Sequence, residues 1–386
     1  MIPSFYSFVH KSKVFYGTLS LEQIPGELSR IPATRPLVIT DKKTEPGIIR
    51  ALAGAFARMP DSLTVFDNVS LLVDEEGIKE IAEVYRESGC NSILALGGSR
   101  VIDMARGAAA AVTLGGDSLV SLAGKDKVEG PLPPLYAIPT MVQTRSALGM
   151  DLVLSSGSGS YRIVSPLLMP RGVFIDKRAM TFASGREVAR GALASLFRAV
   201  EAATGPEGNP VSVAFSATSV RMLSENLPKA VTVNSKKVQA GATCACVFSE
   251  IAVSNTTSGV GLAVADAVHK VCGVPRDLAG AVILPGLLRL RAETAKDAME
   301  RLLLAAAGAD EFSSTSSSGR VTAAVKVLCD MADNIARSGN MTLSLTSMGL
   351  PSGYEEIAKQ VVDNAEALGN ETVSYEQVLD ILKSAA

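Results

Sequence analysis

The chain of 386 residues has no tryptophan, two histidines, five cysteines and only 5% aromatic residues. Each scarcity removes a class of chemistry. Transition-metal centres draw mostly on histidine, cysteine and carboxylate in convergent sets, and His10 and His269 alone cannot build one. The five cysteines (Cys90, Cys244, Cys246, Cys272 and Cys329) form no C-x-x-C pair and no zinc spacing. Buried free thiols in a reducing, cytoplasmic setting are the expectation. Neither sign of charge is in excess: 37 Lys and Arg face 39 Asp and Glu, for a net charge of -2. With no basic stripe or Lys/Arg run, a nucleic-acid partner is excluded. No apolar segment approaches the ~18 residues a membrane span needs. The opening Met1-Ile2-Pro3-Ser4-Phe5 lacks the basic and apolar regions of a signal peptide. A soluble cytoplasmic protein with no membrane partner is therefore expected.

What is present is a large apolar fraction, 47%, in a length that suits two domains. Up to about residue 140, short apolar runs alternate with helix-like segments. Leu37–Thr40, Leu63–Phe66, Ser92–Leu96 and Leu135–Ile138 read as strands, and Gly77 to Ser88 carries Ile78, Ile81, Ala82 and Tyr85 at helical spacing. That alternation implies βαβ units and a parallel sheet covered on both faces. Ligands of such sheets bind at the carboxyl ends of the strands. The run Ser92 to Arg106 is the pivotal stretch: apolar residues, Gly97-Gly98, then an alanine-rich helical pattern. A strand–turn–helix junction offers free backbone N–H groups and a positive helix end to an anion; the same glycines also suit a sharp turn with no ligand. Asp41, just past a strand, either binds ribose hydroxyls or caps the following turn.

Residues 151 to 175 read as a hairpin with a Gly/Ser tip followed by an extended stretch to Asp176. Ser184-Gly185-Arg186-Glu187 is a capping box opening a helix, and from there the pattern is helical with short breaks. Two domains follow, an α/β domain over residues 1–183 and an all-α domain over 184–386. The serine-rich piece Phe312 to Gly319 reads as an exposed interhelical loop.

Taken together, Leu96 to Asp103, Ala137-Ile138-Pro139-Thr140 with Thr144 and Ser146, Ile163 to Pro170 and Gly273 to Pro285 resemble the iron-containing (group III) alcohol dehydrogenase family along essentially the whole chain. The resemblance implies a dehydroquinate synthase-like fold: a dinucleotide-binding α/β domain with a parallel sheet, plus a helical domain that in relatives holds a divalent metal. It implies Asp41, Gly97, Gly98, Ser99, Asp103, Thr140, Thr144 and Ser146 as cofactor-binding residues, with NAD or NADP as cofactor. It also exposes departures. The family's helix D-A-L-x-H-A-I-E-A matches Ala194 to Ala202, so its two metal ligands become Ala194 and Arg198. H-A-x-A-H matches Ala265 to His269, leaving Ala265 at the third ligand, and the fourth becomes Arg276. No metal is therefore expected. In the cofactor loops Ser99 and Arg100 replace a glycine and a serine, and Gln143, Arg145 and Ala147 replace two glycines and a glutamate.

The implied activity is NAD(P)-linked oxidoreduction of an alcohol or carbonyl substrate, independent of metal. Arg198 and Arg276 would replace the metal's charge, favouring an anionic small-molecule substrate, and His269 would relay a proton. The segment His269-Lys270-Val271-Cys272 is similar to one in maleylacetate reductases, metal-independent relatives acting on a dianion. Against this, the two arginines would simply pair with carboxylates such as Glu201 or Asp266. A catalytically inactive relative, kept as a ligand-binding or partner-binding protein, is the alternative, and a homo-oligomer is compatible with either. The sugar-phosphate chemistry of dehydroquinate synthases also rests on metal ligands that these positions lack.

Overall fold

The computed structural model describes residues 5–57, 63–114, 118–142, 145–157, 159–181, 184–232, 235–256, 259–364 and 371–386. Two compact units divide the chain. One comprises His10–Phe182 with Ser235–Cys244; the other comprises Met1–Val9, Ala183–Asn234 and Ala245–Ala386.

The first unit is built on strands β1 (Lys13–Tyr16), β2 (Pro36–Ile39), β3 (Thr64–Phe66), β4 (Ser92–Gly97), β5 (Gly124–Lys125), β6 (Leu135–Pro139), β7 (Asp151–Ser156), β8 (Gly159–Val164) and β9 (Gly172–Ile175). Between them run α1 (Ile24–Ser29), α2 (Pro46–Ala55), α3 (Glu75–Glu87), α4 (Ser99–Leu114) and the single turn α5 (Arg145–Leu148). Six strands form one sheet in the order β1-β9-β6-β4-β2-β3, every pair parallel. The inner strands β2, β4, β6 and β9 are buried at every position, which is why they read as unbroken apolar runs and not as alternating ones. Leu94, Leu96, Val38, Ile138 and Phe174 pack with Ile24, Leu28, Ile48 and Leu52 of α1 and α2. Each such side chain contributes roughly 1.5–3 kcal/mol on full burial. On the helix side, α3 begins where the Asp74 carboxylate accepts the Gly77 N–H at 2.7 Å. It packs tightly on α4 because Gly107 has no Cβ; one added there would lie 2.3 Å from Ile78. The expected hairpin is β7 and β8, antiparallel, with β5 parallel to β8.

The second unit is helical: α6 (Gly185–Thr204), α7 (Pro210–Thr232), α8 (Lys236–Val253, whose first residues belong to the sheet unit), α9 (Val260–Cys272), α10 (Arg276–Thr294), α11 (Lys296–Ala307), α12 (Ala309–Ser314), α13 (Arg320–Ser338), α14 (Tyr354–Asp363) and α15 (Tyr375–Lys383). Ser184 and Glu187 form the reciprocal capping box that starts α6. Close approach of α6 and α10 depends on Gly280, where a Cβ would sit 2.4 Å from the Phe197 ring. Helix α9 stops at Gly273, whose φ of 67° is left-handed and costs glycine nothing. The serine-rich stretch is not a plain loop. Phe312 to Ser314 complete α12 and Ser317 to Gly319 make a 3-10 turn, exposed as expected but helical. Ser314 and Thr315 donate their hydroxyls back to the Glu311 carbonyl, closing a helical end that composition alone did not reveal. Among the described residues no helix is long and apolar enough to cross a membrane.

Candidate cofactor turn and charged residues of the helical unit

In the sheet unit, Asp41, Gly97, Gly98, Ser99 and Thr140 gather at the carboxyl ends of β2, β4 and β6. The Thr140 N–H donates to the Gly97 carbonyl at 3.2 Å, and the Thr140 carbonyl accepts from the N–H and hydroxyl of Thr181, each at 2.8 Å. Gly97 is required by packing, and Gly98 lies under a methionine side chain. A Cβ on Gly97 would lie 2.6 Å from Val101, and one on Gly98 would lie 2.8 Å from the Met141 sulfur. Ser99 opens α4, so the first N–H groups of a 16-residue helix follow directly on the turn. Helix N-termini leave such groups without intrahelical acceptors. These backbone elements fit a dinucleotide pyrophosphate; the thioether over Gly98 is the far end of a flexible side chain.

Asp41 caps the following turn and is also paired with an arginine. Its Oδ1 accepts the Lys43 N–H at 2.9 Å, as a turn cap does, while Oδ2 is held by the Arg100 guanidinium. Arg100 also donates to the carbonyls of Val69 and Ser70. Burial works to raise the Asp41 pKa, but the Lys43 N–H and Arg100 outweigh it and hold the carboxyl below its usual range. Asp103 stands apart from this cluster, one turn into α4, where it accepts from Arg106 at 3.1 Å. Thr144 and Gln143 lie outside the described residues, and Ser146 falls within α5.

In the helical unit, Ala194, Arg198 and Glu201 lie on α6, Ala265, Asp266 and His269 on α9, and Arg276 opens α10. The buried Arg198 is ion-paired with Glu250 of α8, which is buried too. The expectation that Glu201 would pair with one of these arginines fails. Glu201 instead shares Arg291 with Glu371, and its carboxylate accepts the Gly261 N–H at 3.1 Å at the start of α9. Burial pushes the Glu201 pKa up, against the pull of Arg291. The other expected pairing is present: Arg276 forms a bidentate ion pair with Asp266. His269 is one turn beyond Asp266 on α9, and its Nδ1–H donates to the Val274 carbonyl. In the neutral ring that bond leaves Nε2 as the basic nitrogen. Arg276, Asp266 and His269 thus share one neighbourhood, and Arg198 is paired with Glu250. Sequence reasoning missed Glu250 and Arg291, which no local motif announces. Among the described residues no three His, Cys, Asp or Glu side chains converge in a metal-binding group.

A fold with a parallel dinucleotide-type sheet and a helical unit of this kind is shared with known dehydrogenases. The model of the iron-containing alcohol dehydrogenase family matches residues 11–177, and that of the C-terminal part of the Fe-containing alcohol dehydrogenase family matches residues 188–386. The chain therefore belongs to the iron-containing alcohol dehydrogenase family and is alcohol dehydrogenase-like. It is 26% identical over 281 residues to the 1,3-propanediol dehydrogenase of Citrobacter freundii, covering 71% of this chain and 72% of that protein. It is 24% identical over 262 residues to the NAD-dependent methanol dehydrogenase of Bacillus methanolicus, covering 67% of this chain and 68% of that one. The solved structure of a 1,3-propanediol oxidoreductase superposes with a TM-score of 0.86 at 20% identity, covering 99% of this chain and 100% of the other.

Proposed function

We propose that this protein is an NAD(P)-linked oxidoreductase of a small alcohol or carbonyl compound that works without a divalent metal and prefers NADP(H). The observation that carries the metal-free part is the donor set. At the four positions matching the family's ligands stand Ala194, Arg198, Ala265 and Arg276. Alanine offers no donor atom, and a guanidinium is cationic and can only donate hydrogen bonds. A divalent cation does not fit that set. The Arg198–Glu250 pair, buried on both sides, would bring balanced charge to the position matching one of those ligands.

The cofactor preference follows from charge at the end of β2. In dinucleotide-binding folds an acidic residue there receives a ribose hydroxyl, and an arginine nearby accommodates a 2′-phosphate. Here Arg100 neutralises Asp41, and the exposed Lys42 and Lys43 follow it directly. Even with Asp67 at the end of β3 counted, cations exceed carboxylates.

The cofactor, when bound, supplies or accepts a hydride. The first turn of α4 would bind its phosphates. Arg276, whose side chain keeps 14% of its surface exposed beside the more exposed Asp266, would donate to a substrate carbonyl or carboxylate oxygen. This is how the reading accommodates an anionic substrate, which would compete with Asp266 for the guanidinium. His269 Nε2 would hold or deliver the proton of the alcohol, while Nδ1 stays tied to Val274. The test is direct titration with NADPH and NADH, followed by a screen of aldehydes and keto acids in EDTA. Absence of binding by both dinucleotides sinks the reading.

A second reading, a fold kept for binding without chemistry, is favoured by one observation. Arg100, Arg198 and Arg276 are each already matched by a carboxylate of the same chain.

A further inference from the structure

The ends of the strands opposite the cofactor turn carry a cavity. It has a volume of about 420 Å³, within the ~300–1,000 Å³ range of small-molecule sites. It opens where β1, β6 and β9 begin: Lys13, Leu135 and Arg171, the residue before Gly172, all line it. Gly97 and Asp41 lie at the other ends of the strands. In a parallel sheet the two ends of the strands are separated by the strand length, roughly 13–20 Å for these strands of four to six residues at ~3.3 Å per residue.

The lining is unbalanced in charge. Five cationic residues, Lys11, Lys13, Arg30, Arg106 and Arg171, line it with a single carboxylate, Glu27. Glu27 is buried and already doubly matched, by Lys13 at 2.7 Å and by Arg30. Arg106, fully buried on α4, is held by Asp103 and by the carbonyls of Gly149 and Asp151. The exposed Lys11 and Arg171 therefore add positive charge that no lining carboxylate offsets. The remaining wall is apolar: prolines 131, 133 and 134, Leu167 and Leu168. Cations beside an apolar wall in a concave site complement an anion that carries a hydrophobic body.

We propose that this cavity binds a compact organic anion, a carboxylate or phosphate group on an apolar body, with Lys11 and Arg171 receiving the charge. It is a site separate from the one that would take the cofactor, and it does not depend on that reading.

Calorimetric titration at low ionic strength with benzoate, phenyl phosphate, inorganic phosphate and benzyl alcohol tests it. At least one of the two aromatic anions is expected to bind saturably, with Kd near ~1 mM or tighter. Inorganic phosphate and benzyl alcohol are expected to bind more weakly, lacking the body and the charge respectively. The double variant Lys11→Ala/Arg171→Ala, which alters exposed side chains only, should weaken the anion at least about tenfold. Arg100→Ala should leave it unchanged. No saturable binding by either aromatic anion would overturn the proposal. So would equal binding of benzyl alcohol or inorganic phosphate, full retention of affinity in the double variant, or loss of binding in Arg100→Ala.

Discussion

Replacing Arg100 with alanine removes the cation that covers Asp41 and uncovers its Oδ2 at the end of β2. A 2′-phosphate would then lose a charge-assisted donor, worth roughly 1.5–3 kcal/mol, and gain a like-charged neighbour. The guanidinium side chain is 30% exposed and Asp41 25%, so solvent screening trims the repulsion and the donor dominates. The Kd for NADPH should rise about 10–150-fold at ~1.4 kcal/mol per decade. NADH should hold or tighten, because Asp41 becomes free to accept a ribose hydroxyl. Fluorescence of the bound reduced nicotinamide is the suitable signal, since the chain has no tryptophan to quench. An unchanged ratio of the two dissociation constants in Arg100→Ala would refute the reasoning. So would a wild-type protein that favours NADH.

Other perturbations follow from the same geometry. Arg291→Met strands Glu201 and Glu371 beside each other and should cost about 3–5 kcal/mol in urea denaturation; a loss under ~1 kcal/mol would show that the triad is not a coupled unit. Gly280→Ala forces a methyl against Phe197 and should destabilise the helical unit by roughly 1–3 kcal/mol, read by the same assay. The folded-state pKa of Asp41 is lowered, so its contribution is complete above the ordinary aspartate value and is lost as pH falls through the lowered value. Acid titration of wild type against Asp41→Asn should therefore converge only at low pH. The buried Cys244 thiol is pushed up to about 11 by burial. It should stay unmodified by iodoacetamide at pH 8 in the native protein, as mass spectrometry of the digest would show.

The architecture was legible because its signals are local. Strands read at Leu37–Thr40, Leu63–Phe66, Ser92–Leu96 and Leu135–Ile138 fall within one residue of β2, β3, β4 and β6; the inner strands β2, β4 and β6 are buried on both faces and so apolar throughout. The Ser184–Glu187 capping box spans only four residues and forms as read. The site was less legible because its pairings are long-range. Arg198 finds Glu250 fifty-two residues on, and Arg100 reaches back fifty-nine residues to Asp41. Which carboxylate faces an arginine is decided by how helices and strand ends pack, which no periodicity encodes. Asp266 and Arg276 are ten residues apart, joined across the tight Gly273 turn, and that pair was anticipated. The serine-rich segment misled because composition favours a loop, while the hydroxyls of Ser314 and Thr315 hold a helical end.

The proposed chemistry is oxidoreduction without a metal. Its most direct test is the rate of NADPH-dependent reduction of a panel of small aldehydes and keto acids, measured in excess EDTA and again with added Fe²⁺ or Zn²⁺. Turnover that is unchanged by chelation, not raised by either metal, and abolished in His269→Ala is the predicted result. Activity that appears only when a metal is supplied, or no turnover under any of these conditions, would contradict it.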